Sequence, residues 1–397
     1  MPKNNRFQHQ QYPTSPAIKP AFQQLTADAP MVDFSTLHTD LGVGHVVLVH
    51  GTFMGDDSFA VAETLRSIAA EAPSLKKPLE AFATRLQDKG KPFADKLAGD
   101  IGNYTSEFRD RFQKLVGDDP HVRLMDPTWS GQNHHLARAD LAVRLLCELD
   151  TLQPDENQKV MLWGHSHAGN GFAILSNLLA NDRQAVARFF EASEFRDRPH
   201  WLHARRILLA ARSPHPWSNA TVIVAFGTPV RYGWDTDGYR QLLHVLHHRI
   251  FDQSQPFRAK PMFPPHTVTD MMGANFGDWI QAFGIAGTDV APPGLMSANT
   301  QMGAVLETGL AAPSHGVDTQ FIPGKRIRDT CARWKTRTRC HADGQNLLVQ
   351  YTPCGRIARL ILPVEEVLLG HGVATTVDWL PAHLSLVCQQ LRRVSAL

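Results

Sequence analysis

The sequence contains a series of short apolar, β-branched runs that each end in turn residues and are separated by longer stretches with helical spacing. This alternation is typical of an α/β protein, in which crossover helices connect parallel strands. Because the runs are continuous rather than alternating, we expect the strands to be buried on both faces of a mostly parallel sheet. The predicted strands are 45–49, 121–125, 159–163, 221–226, 280–284 and 346–351.

Two of the intervening stretches have the spacing of crossover helices. Residues 133–149 and 169–180 each place their apolar side chains along one helical stripe. The sequence therefore predicts one sheet flanked by helices, formed by residues 33–397, and a flexible amino-terminal tail over residues 1–32.

The segment 58–118 is too long for a simple crossover, and its apolar residues recur at intervals of three or four, which predicts a helical insertion. Such a stripe either packs on the sheet as a satellite layer or covers an apolar site as a cap or lid. A second insertion is expected over residues 290–345. The residues of the stripe are Phe93, Leu97, Ile101, Tyr104, Phe108, Phe112 and Leu115.

Composition excludes several classes of protein. With 43% hydrophobic residues the chain can form a large core, and 40 Lys and Arg against 38 Asp and Glu give a formal charge of +2, which argues against nucleic acid as the partner. No apolar run approaches the roughly 20 residues of a membrane-spanning helix. The five cysteines form no CxxC pair, so we expect a reducing compartment and a cytoplasmic protein. The oligomeric state stays open.

A serine lies between the predicted strand 159–163 and the helix that follows, in the stretch Gly164-His165-Ser166-His167-Ala168. A serine on a sharp strand-to-helix turn is exposed above the edge of a sheet, where the helix amino terminus favours developing negative charge. Small neighbours allow the strand and the helix to approach each other, and Gly164 and Ala168 lie two residues on either side of Ser166.

This stretch resembles the nucleophile elbow of the α/β-hydrolase superfamily, whose pattern is G-x-S-x-G; Ala168 replaces the last glycine. The resemblance implies an α/β-hydrolase fold with Ser166 as the nucleophile. It also implies that an HG turn, here His50-Gly51, contributes to an oxyanion hole. The implied donors are the backbone amides of Thr52 or Phe53 and of His167.

In this superfamily the acid and the histidine of the triad follow the serine in the chain. His371 is the predicted base, because glycines flank it in a loop that precedes the closing helix. Asp289, which follows the predicted strand 280–284, is the predicted acid. Alternative acids are Asp235 and Asp237, one strand earlier, and Asp343.

The expected activity is hydrolysis of a carboxylic ester through an acyl-enzyme, on a small or lipid-like acyl substrate and with no cofactor. The HG turn, the stretch Trp129-Ser130-Gly131-Gln132-Asn133 and the apolar insertion resemble lipases and esterases. Open alternatives are a thioesterase, an amidase or an acyltransferase with the same triad, and a non-catalytic binding protein.

Two groups of histidines have spacings that a metal site could use. His244, His247 and His248 have helical spacing, and His134 and His135 lie at a helix start. Without cysteines nearby or HExxH spacing, we expect these side chains to pack or to face solvent rather than to bind a metal.

Overall fold

The computed structural model describes a seven-stranded sheet with helices on both faces. The described residues are 20–26, 36–51, 103–116, 122–127, 129–152, 158–258, 270, 273–275, 277–281, 291, 293–306, 340–341, 343–352 and 369–395. All seven strands run parallel, in the order β1-β7-β6-β5-β4-β2-β3. The strands are β1 Ala21–Leu25, β2 Val43–Val49, β3 Arg123–Met125, β4 Lys159–His165, β5 Thr221–Phe226, β6 Gln241–His247 and β7 Gln345–Tyr351.

Eight α-helices are defined in the described part of the chain. In chain order they are α1 Thr36–Leu41, α2 Ser106–Leu115, α3 His135–Leu152, α4 Ala168–Ala180, α5 Arg183–Glu191, α6 Pro199–Ala210, α7 Met296–Leu306 and α8 Leu380–Ser395. The prediction of an α/β class with a parallel sheet is thereby confirmed.

The central strands are buried on both sides because successive residues point to opposite faces of the sheet. In β4, Leu162 packs into the core beneath α3 and α4, whereas Met161 and Trp163 pack into the core beneath α1, α2 and α8. Helix α3 is itself covered by α6 and α7, so most of its circumference is buried. The central strands therefore lie between two helical layers, and the exposed residues of the sheet lie on the edge strands β1 and β3.

Helix α2 contains the end of the apolar stripe of the predicted insertion. Tyr104, Phe108 and Phe112 are buried in the core that α2 shares with α8, and the ring of Phe112 meets Trp163 edge-on at 5.5 Å between centroids. Residues 103–116 therefore pack as a helical layer on the sheet. The other residues of the stripe, Phe93, Leu97 and Ile101, lie outside the described residues.

Three sequence predictions about elements differ from the structure. Residues 21–25, assigned to the flexible tail, form β1 and pair in register with β7. Gln241–His247, which has apolar residues between histidines, is strand β6, and the helical spacing of its histidines was misleading. Residues 279–281, at the start of the predicted strand 280–284, begin a helical turn.

The second predicted insertion, 290–345, contains α7 among its described residues, and its end coincides with the first residue of β7. Within the described residues, no helix is both long and apolar enough to cross a bilayer.

Two neighbouring leucines of α6 provide a matched test of how much burial contributes to the stability of the helical layer that contains α6. Leu208 is fully buried, whereas its neighbour Leu209 is 58% exposed. We expect Leu208→Ala to lower the free energy of unfolding by about 2–5 kcal/mol, because a buried leucine leaves a cavity. Leu209→Ala should change it by no more than about 0.5 kcal/mol. Urea denaturation of both variants measures the difference, and equal losses would contradict this placement of α6.

Candidate active site

The sheet changes its direction of winding between β2 and β4. From β2 the chain passes to β3 at the edge, and then returns to β4 on the other side of β2. The connections that follow β2 and β4 therefore leave in opposite directions, which is the topology that creates a crevice at the carboxyl ends of strands in open α/β sheets. Ligands of open α/β sheets bind in such crevices. His50 and Gly51 follow β2 at this point, and Ser166 follows β4.

Ser166 occupies the turn between β4 and α4 in the left-handed backbone conformation, with φ of 57°. This conformation costs a non-glycine residue about 1–3 kcal/mol and persists only where its surroundings hold it. The backbone N–H of Ser166 donates a hydrogen bond of 2.8 Å to the carbonyl of Phe226, at the end of β5. The turn is therefore attached to the neighbouring strand.

Glycines surround the turn because other side chains do not fit. A Cβ on Gly51 would lie 2.8 Å from the Cβ of Ser166. A Cβ on Gly164 would overlap the ring of Phe172, and one on Gly169 would overlap the side chain of Thr228. Ala168, by contrast, is accommodated with its side chain fully buried. The helix approaches the sheet closely with alanine at this position, so the departure from the G-x-S-x-G pattern does not prevent the tight turn.

His371 lies over the end of β5, beside the turn. A Cβ on Gly227, the residue after β5, would be 3.2 Å from the imidazole of His371 and 2.8 Å from the carboxylate of Asp278. Nδ1 of His371 is 2.6 Å from Oδ2 of Asp278, and both side chains are at most 5% exposed. The serine therefore follows the end of β4, and the histidine and the carboxylate lie over the end of the neighbouring strand β5.

Asp278 is held in place by its second carboxylate oxygen. The backbone N–H of Gln281 donates to Oδ1 of Asp278 at 2.7 Å, so Asp278 caps the helical turn that it begins. Its own N–H donates to the carbonyl of His247 at the end of β6, at 3.2 Å. With both oxygens engaged, the carboxylate has a fixed orientation toward His371.

Two buried histidines hold the loop that carries His371. His247 donates from Nδ1 to the carbonyl of Gly370 at 2.8 Å, and His165 donates from Nε2 to the carbonyl of His371 at 3.0 Å. The rings of His165 and His371 also lie 4.3 Å apart between centroids. His165 directly precedes Ser166, so one side chain connects the serine turn to the histidine loop.

These contacts define which nitrogen of each neutral ring carries the proton. Burial, and then the nearby His371, lower the pKa of His165 well below its usual value, so His165 is neutral and its single N–H is the one donated from Nε2. His371 directs Nδ1 to a carboxylate, which fixes its proton there when the ring is neutral. Nε2 of His371 is buried and has no hydrogen-bond partner among the residues described. A buried basic nitrogen thus remains available to accept a proton.

Of the three residues predicted to donate to the oxyanion, only His167 lies in the described part of the chain. His167 is the N-cap of α4, so its backbone lies where the helix dipole favours negative charge, and its Nδ1 accepts from Asn170 at 3.0 Å. Thr52 and Phe53 lie outside the described residues. Gly51, which precedes them, contacts the Ser166 turn, and His50 stacks on Trp129 with 5.6 Å between ring centroids.

Sequence reasoning missed Asp278. The predicted acid, Asp289, lies outside the described residues. The alternatives Asp235 and Asp343 influence each other: burial, and then the charge of Asp235, raise the pKa of Asp343 to about 6. Asp237 is exposed and donates its N–H to Asp235. Asp278-Trp279-Ile280-Gln281 is a helix-capping pattern, and this signal could have identified a helix start at Asp278 in place of the predicted strand.

The histidine groups weighed as metal ligands are explained by packing. His244 and His247 are buried in β6, and the rings of His244 and His341 stack 3.6 Å apart. His135 hydrogen-bonds with the Tyr232 hydroxyl at 2.8 Å. Among the described residues, no group of three or more His, Cys, Asp or Glu side chains could hold a metal ion.

Comparison with known proteins adds no identification: no protein-family model, no curated protein and no solved structure matches this chain.

Buried histidines give a prediction about stability. Burial lowers the pKa of His383 from 6.5 to about 3 and that of His215 to about 4. Because the unfolded chain binds these protons and the folded chain does not, stability is complete above pH 6.5 and falls as the pH drops below it. At pH 5 protonation of unfolded His383 alone removes about 2 kcal/mol.

We therefore expect the free energy of unfolding to decrease from pH 7 to pH 5, and His383→Gln to reduce this decrease. His203→Gln, at a side chain that is 43% exposed and lies 3.3 Å from Asp150, is the matched control and should change the slope less than His383→Gln does. Urea denaturation at each pH measures the free energy of unfolding and therefore its slope with pH. A slope that both variants preserve would contradict a neutral, buried His383.

Proposed function

We propose that this chain is a serine hydrolase of the α/β-hydrolase superfamily that cleaves a carboxylic ester through an acyl-enzyme. The observation that carries this proposal is the arrangement of His371, which directs Nδ1 to the buried carboxylate of Asp278 and leaves Nε2 without a partner among the described residues. It lies at the carboxyl end of a parallel sheet, next to a strand that ends in a strained serine turn.

In the proposed mechanism Ser166 is the nucleophile and His371 the general base. Nε2 of His371 accepts the hydroxyl proton of Ser166 as the serine oxygen attacks the ester carbonyl. The same nitrogen then returns the proton to the departing alkoxide, which leaves as an alcohol. Water repeats the sequence on the acyl-enzyme and releases the carboxylic acid.

Asp278 is the proposed acid of the triad. A carboxylate on Nδ1 keeps the proton of neutral histidine on that nitrogen, so that Nε2 is the basic one, and stabilises the imidazolium that forms during attack. Because Asp278 is buried and its other oxygen accepts from Gln281, it cannot turn away from His371 without losing a hydrogen bond. This assignment replaces the sequence-based choice of Asp289 in our mechanism.

The oxyanion of the tetrahedral intermediate is assigned to two backbone amides. One is that of His167, at the amino terminus of α4. The other belongs to Thr52 or Phe53, which follow Gly51 in sequence. Backbone amides that are oriented before reaction stabilise the developing charge without reorganising.

The primary test is covalent labelling of the serine. A fluorophosphonate should label the wild type at Ser166, and Ser166→Ala should not be labelled. Ser166→Ala should also lower kcat for p-nitrophenyl esters by about 10⁵–10⁶-fold, because the nucleophile is lost. A well-folded wild type that resists labelling would overturn the catalytic proposal in favour of a binding protein. Parallel assays on thioesters and anilides identify which acyl bond is preferred.

The acid is tested by comparing two aspartates. Asp278→Asn should lower kcat by about 10⁴-fold, because the amide favours the wrong tautomer of His371. Asp289→Asn is the matched control and should retain kcat within a factor of a few. The loss in Asp278→Asn should diminish as the pH rises. Full activity of Asp278→Asn, together with a large loss in Asp289→Asn, would restore Asp289 as the acid.

A further inference from the structure

A second cavity lies on the α3 side of the sheet, separate from the carboxylate of Asp278 and from the imidazole of His371. Its volume is about 370 Å³, within the range of small-molecule sites. The apolar part of its wall is formed by Trp129, Phe195 and Leu295, and the charged part by Asp140, Arg144 and Arg198. Two aromatic rings and two guanidinium groups therefore face one space.

The negative charge in this wall is already compensated. Asp140 accepts hydrogen bonds from Arg144 Nε at 2.7 Å and from Trp201 Nε1 at 2.8 Å, and it also contacts His200 Nε2 at 2.7 Å. Burial raises the pKa of Asp140, but these partners together lower it by more. The pKa is therefore below its usual value, and the carboxylate is ionised at neutral pH. With Asp140 and Arg144 paired, one positive charge remains in the wall.

That charge belongs to Arg198. Its Cζ lies 3.5 Å from the centroid of the Phe195 ring, which places the guanidinium over an aromatic side chain of the wall. No carboxylate pairs with Arg198 in the described part of the chain. Stacking on a ring leaves the N–H groups at the edge of the guanidinium free to donate, and a carboxylate fits two of them.

We propose that this cavity binds an aromatic carboxylate. The aromatic body lies against Trp129 and Phe195, where offset or edge-to-face ring contacts are favourable, and the carboxylate is held by Arg198. A phosphate monoester on the same body carries close to two negative charges at neutral pH, whereas the wall offers one unpaired positive charge beside the carboxylate of Asp140, so the singly charged carboxylate is the better match. This site is independent of the proposed hydrolase chemistry, because none of its lining residues is a member of the proposed triad.

Trp129 connects the cavity to the candidate active site. Its Nε1 donates to the carbonyl of His50 at 3.2 Å, and its ring stacks on His50. Gly51, the next residue, contacts the Ser166 turn. A ligand against Trp129 is therefore separated from that turn by His50 and Gly51.

The test measures binding of 2-naphthoate by isothermal titration calorimetry, with neutral 2-naphthamide as the isosteric control and 2-naphthyl phosphate as a third ligand. We expect the naphthoate to bind at least about 10-fold more tightly than the amide, because a charge-assisted bond to Arg198 is lost. The phosphate should bind more weakly than the carboxylate. Tighter binding of the phosphate would overturn the carboxylate assignment.

Arg198→Gln should lower the affinity for naphthoate about 10-fold and leave that for naphthamide unchanged. Arg205→Gln is the matched control, since Arg205 is an exposed arginine of α6 that does not line the cavity. Equal losses in both variants, equal binding of acid and amide, or no binding at all would refute the site. The same titration on Ser166→Ala separates this inference from the hydrolase proposal, because binding should persist there whether or not the wild type is labelled by a fluorophosphonate.

Discussion

The close approach of β4, α4 and the end of β2 is the constraint on which the candidate site depends. The strand must turn into the helix within two residues, which forces Ser166 into the left-handed conformation and leaves no room for a Cβ on Gly51 or Gly164. The strain is held by packing on both sides of the sheet and by the bond from Ser166 to Phe226. A strained serine in such a position is pre-organised, because the turn fixes its backbone before any ligand binds.

Histidines contribute to this architecture in several chemically different ways. His165 and His247 are structural donors, and each holds a carbonyl of the loop that carries His371. His371 instead points Nδ1 at the carboxylate of Asp278. Burial keeps His165 neutral, so the two adjacent rings do not repel each other when His371 becomes charged. The proposed base therefore works beside a second imidazole that acts only as a support.

Much of this arrangement is predictable from the sequence, for physical reasons that differ between residues. Continuous apolar runs and helical stripes identify β2, β4, β5 and the crossover helices, because parallel strands buried on both faces have no polar side. The serine turn is predictable because its small neighbours Gly164 and Ala168 lie close to it in the chain. The contact between His371 and His165, which precedes Ser166, cannot be predicted in this way, because the two histidines are 206 residues apart in the chain.

Other features escaped the sequence because a local pattern competed with the tertiary one. The histidines of β6 have helical spacing, but the strand is fixed by its neighbours β5 and β7, and burial overrides the spacing. Residues 21–25 are mostly polar or exposed, as expected for an edge strand, and pairing with β7 rather than an apolar pattern defines them. Asp278 was missed because an apolar run after it suggested a strand, although its capping role marks a helix start.

The long separations in sequence also affect how the site forms during synthesis. His371 meets a carboxylate 93 residues earlier and a histidine 206 residues earlier, so β2, β4 and β5 can be complete before the proposed base has been made. Contacts of this range close late in folding, because the chain entropy of the intervening loop opposes them. In a nascent chain the serine turn is therefore made long before His371, and any catalytic activity would appear only after the loop that carries His371 has docked on the sheet.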